Sequence, residues 1–311
     1  MIFSTGIGKI RRVPIDKFAQ IKYNIENGLG EIMPYGKAIE LYLENGTAEG
    51  VITAKLFNWS GKAVKISRLD VRDCAREDIR GAGVYFLLCE DGTESVYIGE
   101  AENVYERLMR HLRDFKSGKE TYYWHTVVAF VGRDLNKAHI HYLEKRFVAI
   151  ARACNRYKIL TKKTFQNTVM NEAQVASMEE FLENAKVVLG ALGCKVLEKT
   201  PQVLENTMRF YCKRRHSDSV GFVSQGGYTV VEGSKTSADT TPSLEIRTPA
   251  YYALRKRLES DGTIVNGIFQ KNYEFTAPSA ASSVVIGTPS NGNKDWKNEN
   301  GKTLKELTIE D

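Results

Sequence analysis

The chain has 311 residues, 42% apolar and 26% charged, with a formal net charge of +6. That is long for one domain and comfortable for two or three, with enough apolar residues to build a core without staples. No stretch approaches a membrane-spanning apolar run, and five scattered cysteines without a CxxC pair exclude a zinc ribbon or a disulfide framework. A pI near 8.9 is compatible with a polyanionic partner without diagnosing one. The opening "MIFSTGIGKIRRVPIDKF" lacks the apolar run of a signal peptide, so the expected location is cytoplasmic, with no membrane partner.

Residues 1–36, with Lys9, Arg11, Arg12 and Lys17, read as a basic arm. Residues 37–78 alternate β-formers with Asn-Gly and Ser-Gly turns, which predicts a β-rich segment of short strands. A third region, 79–197, opens with "GVYFLL" (83–88) and "SVYIG" (95–99), two strands joined by a hairpin loop at Asp91-Gly92. A helix over about 101–115 follows. Its Val104, Leu108 and Leu112 form a buried stripe, with Arg107 and His111 on the adjacent one. "YYWHTVVAFVG" (122–132) is a further strand, with Trp124 as core. The next helix, within 136–157, turns Ile140, Leu143, Phe147 and Ile150 inward.

A polar connection over 161–174 leads to a helix opened by a Ser177/Glu180 capping box and ended by Gly193. Residues 198–227, including "CKRRHSDS", read as a linker. The chain restarts as strand in "GGYTVVEGSKTS" (226–237), followed by the helix "TPAYYALRKRLESDG" (248–262), within a C-terminal module over 228–311. No repeat of fixed period is present.

The ordered set "GVY", "VYIG", Arg107 ten residues after Tyr97, His111 four further on, and Glu144 on a later helix resembles the GIY-YIG nucleases over about 80–165. The wording of 45–66 and of "HIHYLEKR" resembles one bacterial subgroup, in which the nuclease is followed by a module of unknown function similar to 228–311. The resemblance implies an α/β fold, with a small, mainly antiparallel sheet flanked by helices and an α+β C-terminal module. It also implies endonucleolytic cleavage of DNA with one Mg²⁺ or Mn²⁺ per site, in restriction, defence or repair.

Phosphodiester hydrolysis needs an activated water, neutralisation of the phosphate and help for the departing oxygen. The resemblance makes Tyr85 the general base, with Tyr97 positioning water or phosphate. A phenol is a poor base at neutral pH unless a cation stands near. Arg107 is a charged fork for two phosphate oxygens and His111 a second donor. Glu144 is the hard oxygen ligand for the metal.

The family's asparagine is assigned to Asn155 or Asn167, while subgroup relatives place one near Thr161. Glu100 stands where some relatives carry lysine and adds no cation. His139 and His141, two residues apart, do not form a metal pair. "RFYCKRRH" (209–216) and "YYALRKRL" (251–258) are the basic, aromatic-interleaved stretches expected to help hold DNA, a solvated helix being the bland reading of the second. The alternative function is a catalytically silent protein of the same fold that binds nucleic acid or a protein partner; oligomeric state is not legible.

Overall fold

The computed structural model describes residues 36–90, 94–162, 169–203 and 207–309. The basic arm up to residue 35, the Asp91-Gly92 loop and Asn167 lie outside the described residues. The chain divides into two compact units, Met1–Ala38 and Ile39–Asp311. Of the first, only residues 36–38 are described.

The second unit begins with strands β1 (Ile39–Leu43), β2 (Ile52–Leu56), β3 (Gly61–Ser67), β4 (Gly83–Glu90) and β5 (Glu94–Ala101). Helix α1 (Val104–Lys116), strand β6 (Trp124–Gly132), helix α2 (Lys137–Cys154), strand β7 (Lys158–Ile159) and helix α3 (Glu172–Ala191) follow. The strands form one seven-stranded sheet in the order β1-β2-β3-β6-β4-β5-β7, antiparallel except for the β5–β7 pair. The sheet is larger than expected because β3 pairs with β6 from Gly61↔Gly132 to Ser67↔Thr126, which fuses the segment 37–78 to the region carrying the tyrosine motifs.

Period-2 alternation divides the sheet into two cores. Ala63, Val84, Phe86, Ile98, Val128 and Phe130 face α2 and α3. Val64, Ile66, Tyr85, Leu87, Val127 and Ala129 face α1. Strand β6 is therefore covered on both sides, which is why "VVAFV" is apolar throughout rather than alternating.

Two local readings are corrected. Helix α3 starts at Asn171, not Ser177: the Asn171 side chain accepts from the Gln174 amide, and the Gln174 side chain accepts from the Asn171 amide. Ser177 lies one turn inside, its hydroxyl donating to the Ala173 carbonyl. On α1, His111 rather than Leu112 completes the buried face.

The stretch read as a linker supplies strands β8 (Phe210–Cys212) and β9 (Ser219–Ser224). With β10 (Gly227–Val230) and β13 (Tyr273–Phe275) they form a second antiparallel sheet, β13-β10-β9-β8; the short β11 (Ile264–Val265) and β12 (Ile268–Phe269) pair separately. Strands of three to six residues around a polar turn carry too little periodicity to stand out. The helix Pro278–Ile286, buried on every side from Ala280 onward, packs in this module's core with Tyr228 and Trp296. Among the described residues, no helix is long and apolar enough to cross a membrane.

Candidate active site

The β4–β5 register sets Tyr85 opposite Gly99 and Tyr97 opposite Leu87. Both rings thus project from one face on a diagonal, with centroids 6.3 Å apart. Gly99 is required there: a Cβ would lie 2.5 Å from the Tyr85 hydroxyl. Tyr122, which enters from the segment before β6, stacks on Tyr97 at 5.7 Å.

Helix α1 begins immediately after β5. Asn103 caps it by accepting from the Glu106 amide, so Arg107 and His111 rise one turn apart toward the tyrosines. The Arg107 guanidinium faces both tyrosine hydroxyls. Burial alone would lower its pKa, yet the two facing phenols raise it. Tyr85 is fully buried. Burial, then the adjacent Tyr97, push its pKa well above the ordinary tyrosine value despite the opposing Arg107 charge.

His111, expected as a second donor, is buried. It lies behind Tyr85, with Nε2 3.0 Å from the Tyr85 hydroxyl and Nδ1 2.5 Å from Oε2 of Glu120. The imidazole is 2% exposed and the Glu120 side chain 9%. Glu120 belongs to no motif and reaches the site only because the turn after α1 folds back over it.

Glu144 approaches from the opposite layer, on α2. Its Oε2 is buried without a hydrogen-bond partner, and burial first, Glu100 second, push its pKa up to about 7. Glu100 is half-buried, 3.5 Å from His141 Nε2, and feels the Arg107 charge; Tyr85 in turn feels Glu100. Glu100 therefore links Glu144 electrostatically to the tyrosine–arginine cluster. An orphaned, buried carboxylate oxygen fits a hard divalent cation, which would supply both the missing partner and the missing charge. Among the described residues, no group of three or more His, Cys, Asp and Glu is arranged to hold a metal. Of the described residues, Glu144 is the one that could ligate such an ion, which would draw its other ligands from water and substrate.

Asn155 is elsewhere. It is the left-handed C-cap of α2, φ +48°, beyond the far end of β5, and its carbonyl accepts from Lys271. Its place follows from helix termination, for which asparagine is suited by its tolerance of positive φ. Thr161 instead adjoins the tyrosine motif. Its buried hydroxyl accepts from the Ile98 amide at 2.8 Å and donates to the Ile98 carbonyl at 2.6 Å, holding the strand between Tyr97 and Gly99. His139 turns away toward the Asp134 carbonyl, and Trp124 is core.

The two basic stretches separate cleanly. In 251–258, Arg255 is 2% exposed and hydrogen-bonds Ser237, Val284 and Glu259, Lys256 pairs with Glu259, and Arg257 donates to the Tyr273 hydroxyl. These cations stitch the module together. Residues from 209–216 instead line a cleft of about 800 Å³ containing Tyr211, Lys213, Arg214, Lys294 and Lys297, with Asp295 and Glu299.

In comparison with known proteins, residues 210–308 match the family described as a domain of unknown function (DUF4357). Its start coincides with β8, eighteen residues before the sequence-derived boundary at 228. No curated protein and no solved structure matches the chain.

Proposed function

We propose that the chain is a divalent-metal-dependent endonuclease that hydrolyses phosphodiester bonds of DNA. The observation that carries this reading is the cluster of Tyr85, Tyr97 and Arg107 from three adjacent elements, with Glu144, a buried carboxylate that has one oxygen without a partner, on the helix packed against the other face of the same sheet. A structural core has no need of such a carboxylate, since a buried unpaired acid lowers stability.

Each group has a part set by its surroundings. Arg107, permanently charged, offers its fork to two phosphate oxygens as negative charge builds on them. Tyr97, half-buried and stacked on Tyr122, orients the attacking water through its hydroxyl. Tyr85 keeps its proton in the resting protein, so it accepts a proton from water only if its own leaves in the same step. His111 Nε2 is the contact through which that proton can leave. Glu144 would hold the Mg²⁺ or Mn²⁺ ion, which supplies charge neutralisation and a water of lowered pKa. The basic cleft of the C-terminal module adds phosphate contacts that carry affinity rather than sequence choice.

Plasmid nicking in Mg²⁺ or Mn²⁺ tests the reading, with Arg107→Ala and Glu144→Gln run alongside. Loss in both variants supports it. Equal nicking by all three proteins marks a contaminant and favours the silent-binding alternative.

A further inference from the structure

We propose that Glu120 is a positioning residue of this site: its carboxylate keeps the His111 proton on Nδ1, so that the Nε2 lone pair faces the Tyr85 hydroxyl. The use of that arrangement in hydrolysis rests on the nuclease reading; the arrangement itself does not.

The inference comes from donor and acceptor inventory. An ionised carboxylate only accepts, so the 2.5 Å contact between Glu120 Oε2 and His111 Nδ1 requires the proton on Nδ1. A neutral imidazole has one N–H, which leaves Nε2 as acceptor at 3.0 Å from the phenol. The hydrogen on that axis is then the tyrosine's own. Glu120 Oε1 is buried without a partner, so the carboxylate is committed to His111 through one oxygen. The rings packed on the imidazole are Tyr85 from β4 and Tyr97 from β5; Arg107 faces those two phenols, and Tyr122 and Arg68, beyond β3, feel the Glu120 charge. Neither arginine takes up a proton, which leaves His111 as the acceptor in contact with Tyr85. Carboxylate, imidazole and hydroxyl stand in the same order as in the hydrolase triads, with a phenol in place of serine.

In the step this permits, a water proton moves to the Tyr85 oxygen as the phenolic proton moves to Nε2. The lone pair so freed on the water oxygen forms the bond to phosphorus, and the bond to the departing oxygen breaks with its electron pair. The imidazolium keeps its Nδ1 proton against Glu120 and later returns the Nε2 proton to solvent.

Two measurements on the full chain decide the matter. In ¹⁵N-histidine NMR, with His111 assigned through His111→Asn, the expected signal is a far-downfield Nδ1 proton and an unprotonated Nε2. It moves upfield in Glu120→Gln and persists in Glu120→Asp. A proton on Nε2, or an unchanged spectrum in Glu120→Gln, overturns the proposal whether or not DNA is cut. In plasmid nicking, Glu120→Gln lowers the rate about 10²-fold with the acidic limb of the pH–rate profile moved to lower pH, because a neutral amide supports the imidazolium less, while Glu120→Asp recovers part of the rate. A wild-type rate and limb in Glu120→Gln overturn the proposal as well. A wild-type protein that cuts with neither metal overturns the nuclease reading instead, and the NMR result still decides the role of Glu120.

Discussion

Two buried glutamates, one in each half of the molecule, show opposite designs. Glu274, on β13, is 4% exposed and receives Lys195 at 3.0 Å, Arg156, and the Ser224 hydroxyl at 2.8 Å. Burial would raise its pKa, but those donors hold it down to about 2. Glu144 is as deeply placed, has an oxygen with no partner, and is pushed up to about 7. The same side chain thus ties the C-terminal module to the connections after α2 and α3 in one place and keeps an oxygen without a partner in the other. A buried carboxylate with its donors in place stabilises the fold; one that lacks them carries a cost that a bound cation would relieve.

The sharpest way to break this comparison is to neutralise both positions. Glu144→Gln and Arg107→Ala each lower plasmid nicking about 10³-fold. Without metal at pH 8, Glu144→Gln also leaves the protein more stable, by about 1 kcal/mol in denaturant unfolding, since a buried unpaired charge is gone. Glu274→Gln does the reverse, lowering stability by about 3 kcal/mol because Arg156 and Lys195 lose their shared anion. A stable Glu274→Gln protein would erase the contrast.

The pH dependences run in opposite directions. Glu274 has a folded pKa below the ordinary 4.5, so its contribution is present above pH 4.5 and is lost as pH falls through about 2. Glu144 has a folded pKa above 4.5, so its contribution is present at low pH and is lost as pH rises through about 7. Unfolding free energies measured across this range for the two Gln variants, each against wild type, isolate the two slopes. The smallest effect belongs to the cleft. Lys294→Ala with Lys297→Ala reduces the slope of log affinity against log salt by about 2, whereas Lys256→Ala leaves it unchanged.

Much of the site was legible because hairpin and helix are local. "GVY" and "VYIG" lie close in the chain on strands that pair directly, and Asn103 starts α1 at once, so Tyr85, Tyr97 and Arg107 follow from spacing. The helix cap at Asn155 shows where spacing fails. Eleven residues after Glu144 is a count along the chain, but α2 carries that asparagine past the end of β5, while β7 brings Thr161 back beside Ile98. The "RKR" at 255–257 failed for a related reason: charge in the sequence does not say whether a carbonyl waits inside to receive it, as those of Ser237 and Val284 do for Arg255.

By itself the sequence determined the mixed α/β class, the tyrosine hairpin, the two helices bearing Arg107 and Glu144, and the existence of a separate C-terminal module. Those depend on periodicity, capping and turns, whose physics acts over a few residues. Tertiary structure alone decided that 37–78 extends the same sheet, that His111 is buried between Tyr85 and Glu120, and that Glu144 has an oxygen without a partner. Desolvation and hydrogen-bond satisfaction depend on every layer packed around a group, and they take values only once the chain has closed upon itself.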